Sequence, residues 1–219
     1  PEQIAVMRKR IEETRRFRET ETSTDAAWEE AIGSILGSEK YDSLKIEAIP
    51  GLVPIGTDPA SGFWEFWHVE SGERPLRDAD DRIVMTPESG IVLVLIPGGS
   101  FRMGTDERRY PDEKPVHEVT MRPFLIAKYE LTQGQWKRMV ELSGDTTLKS
   151  TPSEYAPPKS WRTARGRKAI TLAHPVEQVS WNECRELLPM FGLDLPSESQ
   201  WEYAARGGTT GEWWTGNEK

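Results

Sequence analysis

PVEQVSWNECRELLPMFGLDLPSESQWEYAARGG, residues 175–208, carries two short helices with their start and stop signals written into it. Ser180 followed three residues later by Glu183 is a capping box: the serine oxygen accepts a free N–H of the first turn, and the glutamate reaches back to the serine N–H. Trp181, Cys184, Leu187 and Leu188 then fall on one apolar face. Pro189 has no N–H to donate and ends or kinks the helix, and Gly192 supplies an exit. The second helix follows Pro196, with Ser197 as N-cap and Gln200 in the capping-box position. Trp201, Ala204 and Ala205 are expected to form its buried stripe, and Gly207-Gly208 to end it. No nucleophile is paired with a base here, so the stretch is scaffold rather than chemistry.

Working outward, the composition narrows the classes. The chain has 219 residues, a net charge of −8 and a single cysteine. That length holds one domain with an appendage, or two small domains. The acidity gives no basic face for nucleic acid. One cysteine excludes an internal disulfide framework and a zinc ribbon. No apolar run reaches membrane-spanning length. No signal peptide is visible, and a chain starting at Pro1 is expected to begin inside a longer protein, which leaves the compartment open. Nine tryptophans are expected mainly in a loop-rich core, where indole rings fill irregular space.

Upstream, Pro1 to Thr22 is charged and helix-prone, and is expected as a solvated helix or linker. Ser23, Thr24 and Asp25 cap a second helix with the stripe Trp28, Ala31, Ile32, Ile35 and Leu36, closed by Gly37. From Ile46 short apolar runs alternate with turn signals. Leu52 to Ile55, Phe63 to Val69 and Arg82 to Met85 are candidate strands. Residues 91–104, IVLVLIPGGSFRMG, predict a buried strand to Ile96, a turn at Pro97-Gly98-Gly99 and a return strand from Phe101. These glycines are no phosphate loop, because no lysine follows Gly104 and no helix begins there. TDERRYPDEKP, residues 105–115, is a solvated loop whose oxygen spacing matches no EF-hand. Val116 to Met121 and Phe124 to Tyr129 predict strands. A third capping box, Thr132 with Gln135, starts a helix that buries Trp136, Met139 and Val140. Asp145 to His174 is weakly patterned and expected as an irregular excursion. Within it Trp161 lies among Arg162, Arg165, Arg167 and Lys168, either a small anion-binding spot or a basic loop balancing an acidic domain. The balancing loop is the preferred reading.

The order of short strand, Ser-Trp-Asn helix, Leu-Pro-Ser and Trp-Glu-Tyr-Ala-Ala-Arg-Gly-Gly resembles the sulfatase-modifying-factor, or formylglycine-generating-enzyme, family. IPGGSFRMG at 96–104 and PVHEVTMRPFLIAKYELTQGQW at 115–136 are further matches in the same order, and Trp214 to Asn217 fits a W.GN sequence of the family. Cys184, where a small residue is usual, and Pro189 inside the helix depart from the pattern. The segment 51–75 is similar to what precedes this domain in some bacterial proteins, kinase-linked ones included.

The resemblance implies an α+β, C-type-lectin-like irregular fold of the formylglycine-generating type, truncated and carrying an N-terminal helical and β-rich extension. The expected division is a helical appendage or linker over 1–45, a β-rich lead-in over 46–90, and the family domain, incomplete at its C-terminus, over 91–219. The family implies an oxygen-dependent oxidoreductase that uses two cysteines to hold copper, together with structural calcium, all in the C-terminal half beyond this chain. No catalytic, cofactor-binding or metal-binding residue is therefore assigned in this chain. Cys184 maps to neither copper ligand and is expected as a small buried apolar residue. A related branch holds iron with three histidines of a helical domain; His68, His117 and His174 are widely separated and fit no such motif. Two functional readings stay open. In the first, the full-length protein is a formylglycine-generating oxidase acting on a sulfatase cysteine, with a protein or peptide substrate. In the second, the chain is a non-catalytic lectin-like binding or regulatory module, in a larger signalling protein for instance. Neither calls for nucleic acid or a membrane span.

Overall fold

The computed structural model describes residues 24–106, 111–163 and 166–209. The helix expected over Pro1 to Thr22 and the W.GN sequence lie outside them. Four helices and ten strands follow in order among these residues: α1 (Thr24–Leu36), β1 (Leu52–Thr57), β2 (Trp64–His68), β3 (Leu76–Arg77), β4 (Ile83–Val84), β5 (Val92–Ile96), β6 (Gly99–Met103), β7 (His117–Met121), β8 (Phe124–Ala127), α2 (Gln133–Ser143), β9 (Ser160–Thr163), β10 (Gly166–Ala169), α3 (Trp181–Leu187) and α4 (Glu198–Arg206). The architecture is α+β, as expected. A four-stranded antiparallel sheet runs β1-β2-β5-β8, and three two-stranded sheets pair β3 with β4, β6 with β7 and β9 with β10.

β2 is buried along its whole length because both of its faces are covered. On one face Trp64 and Phe66 meet α1. Trp28 stacks 5.3 Å from Phe66, and Trp64 Nε1 donates to Ser34 Oγ. On the other, Trp67 Nε1 donates to Gly72 O at 3.1 Å, and a Cβ at Gly90 would lie 2.4 Å from that nitrogen. Glycine is thus required where the loop before β5 crosses the indole. Tyr41 ties the layers, its hydroxyl accepting from Trp64 N and donating to Leu95 O.

One core gathers Trp28, Ala31 and Ile35 of α1, Leu52, Trp64 and Phe66 of the lead-in, and Leu93, Trp136, Met139, Leu187 and Phe191 downstream. The core therefore crosses both 45/46 and 90/91, and the main sheet crosses 90/91. Burying each of the Leu, Ile, Phe and Met side chains of this core contributes roughly 1.5–3 kcal/mol. The α1 stripe is buried at Trp28, Ala31 and Ile35, whereas Leu36 at its end is exposed. Trp28, Trp64, Trp67 and Trp136 are core residues, but Trp161, Trp181 and Trp201 are exposed.

Two strand expectations are corrected. β6 is no hairpin partner of β5; it pairs with β7, Gly99 opposite Met121 through Met103 opposite His117. The reason is a close crossing: a Cβ on Gly98 would stand 2.7 Å from Met121 O, so the glycines let the chain leave the main sheet and join β7. And the irregular excursion of 145–174 contains an ordered ribbon, β9 with β10.

Candidate functional site

All three capping boxes form. Thr132 with Gln135, Ser180 with Glu183 and Ser197 with Gln200 each exchange both hydrogen bonds, so α2, α3 and α4 begin where the sequence placed them. α2 buries Trp136, Met139 and Val140, and Trp136 Nε1 donates to Lys149 O at 2.9 Å. α3 runs into a 3₁₀ turn at Leu188–Phe191 that contains Pro189 and ends at Gly192 in the left-handed region. Leu187 and Leu188 are buried and Cys184 packs half-buried beside them, but Trp181 is 66% exposed, with the Arg185 guanidinium 5.7 Å over its ring.

α4 is rotated from the expected orientation. Tyr203, not Trp201, faces inward, with its ring 5.2 Å from Phe101 and 6.2 Å from Phe124. Glu202 Oε1 accepts from Gly104 N at 2.9 Å, and Arg206 donates to Gly104 O at 3.0 Å and to the same carboxylate. This pair satisfies both backbone groups at the end of β6, a role that nothing in the local sequence around Glu202 signals. With Glu202, Tyr203 and Arg206 turned to β6, the Trp201 and Ala205 side must point away. Trp201 is 62% exposed, Ala205 is exposed and Ala204 half-buried, so the expected Trp201, Ala204, Ala205 stripe is not buried.

That uncovered side forms one wall of a groove of about 390 Å³. Its floor is Val94 and Ile96 of β5 with Ile126 and Ala127 of β8, the edge strand of the main sheet. Asp58, Ser61 and Lys128 close one end. Lys128 Nζ donates to Asp58 Oδ1 at 2.7 Å and to Glu65 Oε1, and Arg77 donates to Glu65 Oε2 at 2.6 Å. Glu65 is fully buried, so its two cations replace its lost hydration. Burial would raise the Asp58 pKa, but the Lys128 ammonium and the Ser61 N–H and hydroxyl outweigh it and hold it at about 2. Burial alone would lower the Lys128 pKa; its hydrogen bonds to Asp58 and Glu65 reverse this and raise it. The groove thus offers apolar surface and, among the described residues, an open sheet edge, beside an ionic cluster whose charges are already matched.

The three histidines do not act together. His68 is buried in β2 with Nε2 3.0 Å from Phe191 O, His117 Nδ1 lies 2.9 Å from Pro115 O, and His174 Nδ1 is turned to Thr171. No group of three His, Cys, Asp or Glu side chains that could hold a metal ion occurs among the described residues. Burial, then the neighbouring Glu183 carboxylate, push the Cys184 thiol pKa up, away from a reactive thiolate. No helix among the described residues is long and apolar enough to cross a membrane.

Residues 82–219 match the Sulfatase-modifying factor enzyme 1-like domain. The chain belongs to this family. It is 32% identical over 167 residues to the formylglycine-generating enzyme of Mycobacterium tuberculosis, covering 58% of this chain and 56% of that protein. It is also 32% identical over 154 residues to the inactive C-alpha-formylglycine-generating enzyme 2 of Bos taurus, covering 55% of this chain and 50% of that one. A third relative is the serine/threonine-protein kinase pkn1 of Chlamydia caviae, 32% identical over 123 residues, which are 54% of this chain and 20% of the kinase. The chain spans about half the length of the formylglycine-generating relatives it matches. The strand-and-helix order from Ile83 to Arg206, with its capped helices, lies within the matched residues, as do the groove residues of β5, β8 and α4, whereas Asp58 and Ser61 come before them.

Proposed function

We propose that this chain is the N-terminal portion of a formylglycine-generating protein, and that it serves as the scaffold on which a catalytic remainder assembles. The observation that carries the reading is the exposed Trp201–Ala205 side of α4 beside an edge of β8 that is free among the described residues, in a domain whose formylglycine-generating relatives are about twice as long as the matched region. An apolar helix side and an open strand edge are what a domain leaves where further chain packs. The whole protein oxidises a cysteine of a sulfatase to formylglycine, its substrate a polypeptide.

Copper, which that activity implies, does not fit the residues present. A two-cysteine site needs a second thiolate, and the one cysteine here sits half-buried on α3 with its pKa raised. No step is assigned to this chain through that metal, and calcium likewise finds no cluster of ligands among the described residues. The test is aldehyde formation on a Cys-x-Pro-x-Arg peptide by the full-length gene product loaded with copper. Turnover by the full-length protein and none by residues 1–219 is the expected result. Full-length protein that binds copper yet makes no aldehyde would overturn the oxidase reading and leave a binding module.

A further inference from the structure

The ribbon of β9 and β10 carries the basic residues singled out in the sequence, which the family function does not absorb. Its register sets Arg162 opposite Arg167 and Trp161 opposite Lys168. Opposite residues share a face and alternate along the strands. One face therefore carries Trp161 and Lys168, and the other carries Arg162 and Arg167 flanked by Ser160 and Ala169. The Trp161 face leans on the body of the protein, its ring 4.9 Å from His174 and edge-on to it. The ribbon is tied down at its base by Ile170 N donating to Lys159 O. The arginine face is turned the other way and both arginines are exposed.

Two like charges placed directly opposite on a two-stranded ribbon, with Cβ atoms about 4.5–5.5 Å apart, repel each other. A nearby carboxylate would relieve this repulsion. None lies within ion-pair distance of Arg162, Arg167 or Lys168 among the described residues, although the chain has 36 acidic side chains against 28 basic ones. Among the described residues the exposed ion pairs are made elsewhere, Lys137 with Glu141 and Arg185 with Asp194 being two of them. A positive face left unmatched on an acidic protein is complementary to an external anion. Small neighbours at Ser160 and Ala169 leave both guanidinium forks open to planar, two-pronged recognition.

We propose that the Arg162–Arg167 face of this ribbon docks an acidic polypeptide segment of a partner protein, each guanidinium forking onto a carboxylate. The size of the face selects this partner over a nucleic acid. Four residues of strand span about 13 Å, room for a few carboxylates, whereas a longer polyanion would run onto a chain of net charge −8. This docking is independent of the oxidase reading and needs no residue outside the chain.

The test is fluorescence anisotropy of a short fluorescein-labelled Glu/Gly peptide with the whole chain at low and at physiological salt. Saturable binding that weakens as salt rises is expected. The R162Q/R167Q variant is expected to bind at least about tenfold more weakly, and K137Q, on α2, to bind like the parent. Removing the repulsion should leave the melting temperature of R162Q/R167Q unchanged or raised, so a loss of binding is not a loss of fold. R162K/R167K keeps the charge without the forks and should fall between. Equal binding by parent and R162Q/R167Q, no saturable binding at low salt, or tighter binding of an oligonucleotide of equal charge would each overturn the proposal.

Discussion

Lys128 Nζ lies 2.7 Å from Asp58 Oδ1, and this contact joins the end of β8, inside the family domain, to the turn after β1, outside it. The same ammonium reaches Glu65, a fully buried carboxylate on β2. Three segments of the chain therefore meet on one cation. Replacing Lys128 by Met leaves Glu65 with Arg77 alone and Asp58 without its counter-ion. The expected loss of stability is about 3 kcal/mol, read from urea unfolding. Adding Glu65→Gln to Lys128→Met should recover part of that loss, since the uncompensated buried charge is then gone. Additive losses would mean the two side chains do not act as a pair.

Asp58 sets an acid limit. Its folded pKa of about 2 lies below the ordinary value of 3.8. A depressed carboxylate contributes stability that is fully present above the ordinary value and is lost as pH falls through the folded one. Its share should therefore disappear between about pH 4 and pH 2. Asp58→Asn is expected to be less stable than the parent at pH 7 and to lose less on going to pH 2. Parallel stability–pH curves for the two proteins would refute this.

Trp136 is fully buried, and its indole N–H is satisfied by Lys149 O. Trp136→Ala opens a large cavity under α2 and removes that hydrogen bond. A cost of about 3–5 kcal/mol is expected, enough to leave much of a marginal domain unfolded at room temperature. Near-native stability in chemical denaturation would contradict a core that depends on this ring.

Glu202 and Arg206 hold Gly104 at the end of β6. Glu202→Ala strips the Gly104 N–H of its acceptor and Arg206 of its carboxylate, at an expected cost of about 1–3 kcal/mol. Hydrogen exchange at the Gly104 amide should accelerate more than exchange in α2. Uniform acceleration would show only a global loss of stability.

Trp201 behaves oppositely to Trp136. Because it is 62% exposed, Trp201→Ser in residues 1–219 should change stability by no more than about 0.5 kcal/mol. In the full-length protein the same change should cost several times more, if further chain packs on α4 as proposed. Equal effects in the two proteins would remove the support that this exposed ring lends to the assembly reading.

The sequence reading succeeded where the physics is local. Each capping box couples residues three apart, so Thr132, Ser180 and Ser197 start their helices whatever packs above them. The α1 and α2 stripes were likewise visible, because a 3.6-residue period shows which side turns inward when there is one apolar side to choose. On α4 the local pattern pointed to the wrong side. The apolar Trp201–Ala205 side looked like the buried one, but the edge-on contact of Tyr203 with Phe101 and the Glu202–Arg206 hold on Gly104 turned the other side in. Nothing in an interval of three or four residues reports a partner a hundred positions away.

What the sequence by itself determined was the set of capped helices, most of the strands and the family, because these rest on short-range hydrogen bonding, on periodicity and on ordered motifs. Only the tertiary structure decided that β6 joins β7, that Glu65 lies buried between Arg77 and Lys128, and that α1, the lead-in strands and the family domain share one core. Strand pairing and the burial of a charge depend on which surfaces compete for one another once the chain collapses. That competition is settled by contacts between residues far apart in sequence, where the local pattern is silent.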